Sequence, residues 1–309
     1  MTSLKGKDIL DGAQFTREEI DYVMALADDF RSQIKDKPAV DLMKGYVLAT
    51  LFFEPSTRTR LSFETAMHRL GGNVVGFSSA ESTSTAKGET LADTIRTVDQ
   101  YADIIAMRHP QIGSAKEAAS VAEAPILNGG DGAGQHPTQA LLDLYTVKHE
   151  RGKLDGTTIV LCGDLKNGRT VHAGVEMYKH YNCKIIMVAP EELKMPEALV
   201  SKLREHGVQV EETTNLEAAM AKGDVLYMTR IQKERFADPA EYERLKGSYI
   251  LTREMIERVS PKLTIMHPLP RVNEISADVD SLATAAYFRQ VGNGVFIRMA
   301  LIASVMGKA

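Results

Sequence analysis

TIVLCGDLKNGRTVHAGVEMYKHYNCKIIMV, residues 158–188, contains two short apolar runs separated by a polar loop and a helical pattern. Thr158–Cys162 and Lys184–Val188 have the length and the β-branched content of buried strands. Val171–His180 has the apolar periodicity of a helix. A strand, a helix and a second strand in this order predict two parallel strands joined by a crossover helix.

The same alternation extends in both directions along the chain. The other predicted strands are Tyr46–Phe53, Val74–Phe77, Ile104–Met107, Pro125–Leu127, Val208–Glu211, Val225–Met228 and Leu263–Met266. The other predicted helices are Arg17–Ile34, Leu61–Leu70, Thr90–Tyr101, Ala115–Val121, Pro137–His149, Pro196–His206 and Ala285–Met306. Thr16 and Glu19 form a capping box that marks the start of the first helix.

About nine strands are many for one sheet, and a Gly- and charge-rich break near Arg151–Gly156 divides them into four and five. The sequence therefore predicts an α/β fold with two doubly wound parallel-sheet domains. The expected first domain comprises residues 1–136 and 288–309, because the last helix packs back on it. Residues 137–149 are expected to form a linking helix, and residues 150–287 the second domain.

Composition narrows the class of protein. The chain has 309 residues, 44% of them hydrophobic, and a formal net charge of −4. An acidic balance disfavours nucleic-acid binding, and no apolar run reaches the roughly 20 residues of a membrane span. The start lacks the apolar core of a secretory signal. The only cysteines, Cys162 and Cys183, lie in apolar stretches and are expected to be buried thiols in a cytoplasmic protein.

Polar clusters follow six of the predicted strands, where ligands bind in open α/β sheets. They are residues 54–60, 108–110, 128–139, 163–170, 229–232 and 267–271. Five of the six contain arginine although the protein is net negative. A single arginine there would be interpreted as a solvated loop residue. Five together predict a site for anionic groups, which the planar guanidinium suits.

Three features remain open between a structural and a functional interpretation. Residues 56–59 place hydroxyls at a helix N-terminus, which suits an anion but is also common at ordinary helix starts. The hydroxyl-rich segment 80–89 is typical of a mobile surface loop, although its Lys87 suits a phosphate. His136 follows a Gly-rich strand end, where structural and functional histidines are about equally common.

Several catalytic motifs are absent from the sequence. It has no Ser-His-Asp signature, no His-Glu-x-x-His, no cysteine pair for zinc and no Gly-x-Gly-x-x-Gly. We therefore expect no metal and no cofactor. A transfer between two anionic substrates, driven by positioning and charge stabilisation, fits this pattern.

The polar clusters, taken in order, resemble the motifs of the aspartate carbamoyltransferase family, in its catalytic chains. The matching segments are Ser56–Arg60, Arg108–Pro110, His136–Gln139, Asp164–Thr170, Thr229–Arg235, His267–Arg271 and Asn293–Arg298. The first motif alone marks only the wider carbamoyltransferase group, whereas the complete ordered set is specific. The resemblance covers the chain from the first helix to Met306.

The resemblance implies carbamoyl transfer from carbamoyl phosphate to the amino group of L-aspartate, in pyrimidine synthesis. The residues that it implies for carbamoyl phosphate are Ser56, Thr57, Arg58, Thr59, Ser84, Lys87, Arg108, His136, Gln139, Leu269 and Pro270. Those that it implies for aspartate are Lys87, Arg169, Thr170, Arg230 and Gln232. Catalytic roles are implied for Arg58, Thr59, Lys87, Arg108 and His136.

The resemblance also implies a homotrimer in which Ser84 and Lys87 enter a neighbouring subunit's site. Ser82 is the other candidate for that serine, and Ser84 is preferred because it lies three residues before Lys87. Regulatory chains and fused pyrimidine enzymes are further partners that the family permits, and the sequence does not distinguish between them.

Three alternative functions compete with this interpretation. Ornithine carbamoyltransferases share the phosphate motif but carry His-Cys-Leu-Pro where this chain has His267-Pro-Leu-Pro270. The strand ending in Gly163-Asp164 is faintly like that of a dinucleotide-dependent oxidoreductase, but the glycine spacing fails. A non-catalytic scaffold would have lost site residues, and here every expected position is filled.

Overall fold

A computed structural model describes residues 3–231, 236 and 238–309. Within them the chain forms two compact units: unit 1 comprises Met1–Leu142 and Gly292–Ala309, and unit 2 comprises Asp143–Val291. None of the helices in these ranges has the length and apolar character needed to cross a bilayer. The predicted α/β class with two parallel sheets is confirmed.

Unit 1 is built on a four-stranded parallel sheet in the order β2-β1-β3-β4. The strands are β1 Val47–Phe52, β2 Asn73–Phe77, β3 Ile104–His109 and β4 Ile126–Asp131. Its helices are α1 Arg17–Asp36, α2 Thr57–Arg69, α3 Leu91–Asp99, α4 Ser114–Ala119 and the start of α5 Pro137–Arg151. The predicted capping box is present, because Glu19 N–H donates to the Thr16 hydroxyl.

Unit 2 is built on a five-stranded parallel sheet in the order β7-β6-β5-β8-β9. The strands are β5 Thr158–Cys162, β6 Lys184–Val188, β7 Gln209–Thr213, β8 Val225–Met228 and β9 Thr264–Met266. The helices are α6 Arg169–Tyr178, α7 Glu197–Glu205, α8 Leu216–Met220, α9 Pro239–Leu245 and α10 Arg253–Val259. Helix α11, Tyr287–Val305, begins in unit 2 and continues into unit 1.

All strands except the edge strands β2 and β7 are buried, because each sheet carries helices, and their apolar residues form the cores. Leu48, Ile105 and Ile126 are fully buried in unit 1, as are Val160 and Ile186 in unit 2. Burial on both faces explains the continuous apolar runs seen in the sequence. Cys162 and Cys183 are buried free thiols, as predicted, and burial raises the pKa of Cys183 to about 12.

In each sheet, successive strands are added first on one side of the starting strand and then on the other side. In unit 1, β1 leads to β2 on one side, whereas β3 leads to β4 on the other. In unit 2, β5 leads to β6 and β8 leads to β9, again in opposite directions. Ligands of open α/β sheets bind beyond the carboxyl ends of the strands at such a switch point. The fold therefore singles out the segments that follow β1 and β3, and those that follow β5 and β8.

Candidate active site

The unit 1 cluster consists of Ser56–Thr59, Arg108, His136 and Gln139, which follow β1, end β3 or follow β4. Phe52 pairs with Arg108 across the switch point, and Phe53 N–H donates to the Arg108 carbonyl at 2.9 Å. The residues after β1 and at the end of β3 are therefore held at one edge of the sheet.

Ser56 is the N-cap residue of α2, and its side chain makes no capping hydrogen bond. By contrast, the N-cap threonines of α1, α3 and α10 all accept one from the first helical turn. No acidic residue lies in the first turn of α2. This helix start therefore presents backbone N–H groups and a hydroxyl that the helix itself does not use, which suits an anion.

Arg108 is 9% exposed and is held by Glu54, whose Oε1 accepts from Nη2 at 2.6 Å. Its buried Nε has no hydrogen-bond partner within the described residues. A buried donor left unsatisfied is costly unless a ligand uses it. Arg108 is therefore oriented by a carboxylate while keeping one N–H for another group.

Thr59 and Gly129 lie against each other, since a Cβ at Gly129 would stand 3.3 Å from the Thr59 methyl carbon and 3.1 Å from the Met107 carbonyl oxygen. Glycine on β4 thus allows the start of α2 to approach the sheet closely. Thr59 is 6% exposed as a result, whereas Thr57 is exposed and Arg58 is half-buried.

His136 lies immediately before α5, and its carbonyl accepts from Gln139 N–H at 3.0 Å. Asp131 fixes the segment that leads into α5, because its carboxylate accepts from Gln135 N–H at 2.7 Å and from Gly113 N–H at 3.0 Å. His136 is 4% exposed and Gln139 is half-buried. His109 instead accepts from Gln111 N–H through Nδ1 and so serves the turn that follows β3.

Ser84 and Lys87 lie apart from these contacts, on a 3-10 turn spanning Ser84–Lys87 that Gly88 ends with φ +94°. Both residues are exposed. In the described part of the chain, no hydrogen bond or ion pair joins either side chain to the unit 1 cluster. Within a single chain, the segment that contains Ser84 and Lys87 is therefore an exposed surface loop, as the sequence indicates.

The unit 2 cluster consists of Arg169, Thr170 and Arg230, beside the β5/β8 switch point. Arg169 and Thr170 open α6 after a tight turn, in which Asp164 accepts from Asn167 N–H at 2.9 Å. Arg230 follows β8 and is half-buried, like the other two. Gln232, the fourth predicted contact for aspartate, lies outside the described residues.

The turn after β5 depends on Gly163, which has φ +121°. A Cβ there would stand 2.2 Å from the Thr229 carbonyl oxygen, which belongs to the segment after β8. The two segments of the switch point therefore approach each other more closely than any residue with a side chain would permit.

Leu269 and Pro270 follow β9 and have a cis peptide bond between them, and Leu269 has φ +55°. His267 fixes this loop, because its Nδ1 accepts from Leu269 N–H at 2.8 Å and its Nε2 donates to Glu274 Oε1 at 2.7 Å. A backbone N–H must donate, so His267 is the neutral Nε2–H tautomer. Burial lowers the pKa of His267 and outweighs the opposing effect of Glu274.

Two groups of residues were not assigned from the sequence. Glu54 precedes the basic segment after β1, and an acidic residue beside basic clusters is a signal that predicts an ion pair with one of the arginines. Asp143 accepts hydrogen bonds from Tyr227 and Gln290 in unit 2. The sequence feature that could have identified Asp143 is its position as a single acidic residue inside the apolar stretch Leu141–Tyr145. Arg271, by contrast, pairs with Asp280 and so serves its own loop.

The described residues hold no group of three or more His, Cys, Asp or Glu side chains arranged to bind a metal ion. What the clusters offer is guanidinium, hydroxyl, imidazole and backbone N–H donors. Donors of this kind bind anions and stabilise negative charge that develops during a reaction.

Two family models together match most of the chain. Residues 7–149 match the carbamoyl-P binding domain of aspartate/ornithine carbamoyltransferase, and residues 155–305 match its Asp/Orn binding domain. The aspartate carbamoyltransferase catalytic subunit of Thermococcus kodakarensis is 54% identical over 303 residues, 98% of each chain.

Two further relatives show the same likeness. The Trypanosoma cruzi aspartate transcarbamoylase, solved with carbamoyl phosphate and aspartate, superposes with a TM-score of 0.94 at 44% identity, covering 98% of each chain. The multifunctional protein pyr1-3 of Dictyostelium discoideum is 49% identical over 305 residues, which are 99% of this chain and 14% of that protein.

Proposed function

Because the chain belongs to the aspartate/ornithine carbamoyltransferase family, we propose that it transfers the carbamoyl group of carbamoyl phosphate to the amino group of L-aspartate. The products are N-carbamoyl-L-aspartate and inorganic phosphate, in pyrimidine synthesis. The observation that carries the proposal is the position of the arginines. Arg108 lies at the switch point of one sheet, and Arg169 and Arg230 lie at that of the other.

In this proposal, Ser56, Thr57, Arg58 and Thr59 bind the phosphate of carbamoyl phosphate. The start of α2 supports this role, because it offers N–H groups, a hydroxyl free of capping and no acidic residue in its first turn. Binding the phosphate there also stabilises it as a leaving group, since negative charge accumulates on it as the C–O bond breaks.

Thr59, Arg108 and His136 contact the carbamoyl oxygen. This oxygen becomes negative when the amine attacks, so donors fixed in advance lower the barrier. The Glu54 ion pair orients Arg108 and leaves its Nε–H for this purpose. Gln139, with the carbonyls of Leu269 and Pro270, binds the carbamoyl amino group.

Arg169, Thr170, Arg230 and Gln232 bind the carboxylates of aspartate. Two guanidinium groups match a dicarboxylate and would leave the side-chain amine of ornithine without an acceptor. The neutral amine of aspartate attacks the carbamoyl carbon and forms a tetrahedral intermediate. The bond to the phosphate oxygen then breaks, and the departing phosphate takes the amine proton, so no protein base is required.

Arg58→Ala tests the phosphate site. We expect kcat/KM to fall by roughly 10²–10³-fold, as for loss of a transition-state donor. Arg69→Ala is a matched control at the other end of α2, where Arg69 donates to the Pro38 carbonyl at 2.7 Å. Near-normal turnover by a folded Arg58→Ala protein would refute the assignment.

We also propose that three chains assemble with shared sites, and that Ser84 and Lys87 complete the site of a neighbouring chain, Lys87 serving both substrates. The exposure of both residues supports this role. Mixing inactive Arg58→Ala and Lys87→Gln chains tests it, because hybrid trimers would contain intact sites and regain activity. No recovery on mixing, or a monomeric mass in sedimentation, would contradict the shared site.

A further inference from the structure

Asp143 is a buried carboxylate in α5, 3% exposed and flanked by apolar residues. A charged group in such a place must be fully hydrogen-bonded to be tolerated. Its Oδ2 accepts from the Tyr227 hydroxyl at 2.7 Å, and its Oδ1 accepts from Gln290 Nε2 at 2.6 Å. Both partners are also buried, so water does not compete for these bonds.

The first arm of this network leads to the unit 2 cluster. Tyr227 and Asp143 line a small cavity together with Thr170, which lies beside Arg169 at the start of α6. Tyr227 lies in β8, three residues before Arg230. Burial and the charge of Asp143 raise the pKa of Tyr227, so its hydroxyl stays protonated and donates to Asp143. Since the hydroxyl proton points at Asp143, the phenol oxygen can only accept from the cavity side, where Thr170 lies.

The second arm leads to the loop after β9. Gln290 Oε1 accepts from His267 N–H at 2.9 Å, and His267 in turn accepts from Leu269 N–H. Because the oxygen of Gln290 must face a backbone donor, its amino group must face Asp143. The negative charge of Asp143 thus fixes the amide orientation that holds His267.

We infer that Asp143 is a positioning residue of the acceptor site, whose single carboxylate sets the three segments after β5, β8 and β9 that carry the proposed aspartate contacts and the Leu269–Pro270 carbonyls. The inference rests on the proposed function. Asp143 itself touches no substrate in this account; it acts through Tyr227 and Gln290. A residue of this kind holds binding groups in a productive geometry.

Two conservative variants interrupt the first arm. Tyr227→Phe removes one oxygen atom and with it the hydrogen bond to Asp143. Asp143→Asn keeps its oxygen toward Gln290 but turns an N–H₂ group toward Tyr227. Tyr227 must then accept instead of donate, and its proton must turn toward the rest of the cavity that it shares with Thr170. The second arm stays satisfied in both proteins. Each variant is therefore expected to weaken aspartate binding while sparing carbamoyl phosphate.

Tyr178→Phe is the matched control. Tyr178 is another buried tyrosine, and it lines the same small cavity as Asp143, Thr170 and Tyr227. Asp143 acts on it through charge rather than through a hydrogen bond. Loss of its hydroxyl therefore tests whether any buried tyrosine near Asp143 matters equally.

The test is steady-state kinetics of the four full-length proteins, with each substrate varied against a saturating level of the other. We expect Tyr227→Phe and Asp143→Asn to raise the KM for aspartate about tenfold, the usual effect of losing a hydrogen bond to a charged group. The KM for carbamoyl phosphate should stay within twofold, and Tyr178→Phe should match the wild type.

Two results would overturn the inference alone: an unchanged KM for aspartate in folded Tyr227→Phe, or an equal rise in both KM values. An equal rise in the KM for aspartate in Tyr178→Phe would also contradict the inference, because any change in packing near Asp143 would then have the same effect. If Asp143→Asn fails to fold, the milder Tyr227→Phe decides. A wild-type protein without transfer to aspartate would instead remove the proposed function, and the inference with it.

Discussion

Replacing Arg108 by glutamine removes the guanidinium at the end of β3 and keeps a polar side chain. In the wild type, Arg108 is 9% exposed, and its Nη2 donates to Glu54 at 2.6 Å. Its Nε–H is buried without a partner among the described residues. The substitution therefore deletes the donor that we assign to the carbamoyl oxygen, together with the positive charge behind it.

The expected loss is mainly catalytic. Removing one donor to a developing oxyanion costs about 2.7–4 kcal/mol, or roughly 10²–10³-fold in kcat. Stability should change less. The Glu54 side chain keeps 31% of its surface exposed, so water can solvate the carboxylate when its partner is lost. An ion pair with such exposure contributes about 1 kcal/mol at most.

The assay is the initial rate of carbamoyl aspartate formation at saturating substrates, with thermal unfolding measured on the same preparations. Arg96→Gln is the control, since Arg96 is 60% exposed and pairs with Asp93 on the surface of unit 1. We expect Arg96→Gln to keep the wild-type rate. An Arg108→Gln protein that unfolds like the wild type and retains a third or more of its rate would refute the role of Arg108.

Gly163→Ala should destabilise unit 2 by several kcal/mol, because its φ is +121° and the new Cβ would meet a backbone oxygen at 2.2 Å. Gly292→Ala is the control in thermal unfolding, because a Cβ added there would meet no described residue within 4 Å beyond the backbone of its own helix. Arg169→Gln should raise the KM for aspartate at least tenfold and leave that for carbamoyl phosphate unchanged; equal changes in both would oppose the assignment. Burial lowers the pKa of His267 from 6.5, so only the unfolded state takes up its proton just below pH 6.5. The free energy of unfolding should therefore decrease as the pH is lowered below 6.5, with a slope from this group of up to about 1.4 kcal/mol per pH unit. Denaturant titrations should show this extra slope in the wild type and not in His267→Asn.

The central strands could be predicted closely from the sequence. β5, β6 and β8 have the predicted bounds, because a strand buried on both faces is an uninterrupted apolar run. The prediction ended β4 at Leu127, whereas the strand continues to Asp131. Its Asn-Gly-Gly-Asp sequence resembles a loop, but pairing with β3 and the close approach of Thr59 hold it in the sheet.

The helices that border the candidate site begin earlier than predicted. α2 was expected to begin at Leu61 and begins at Thr57, and α6 was expected to begin at Val171 and begins at Arg169. An apolar periodicity reports only the turns that pack on the core. The first turns face the site and are polar, so the residues of greatest functional interest lie where this signal is weakest.

The support for the site residues could not be predicted, because it is long-range. Asp143 lies 84 residues from Tyr227 and 147 from Gln290. Local sequence patterns do not indicate contacts between residues that are so far apart along the chain. The Glu54–Arg108 pair spans 54 residues. Strand ends and motif order indicated which side chains gather, and the coordinates supply what orients them.

The most direct test of the proposed function is a comparison of acceptors with the wild-type protein. Purified enzyme is supplied with carbamoyl phosphate and either L-aspartate or L-ornithine, and both the ureido product and inorganic phosphate are quantified. We predict carbamoyl aspartate and phosphate in equal amounts, with no citrulline from ornithine. Citrulline as the main product, or phosphate release without carbamoyl transfer to aspartate, would contradict the account.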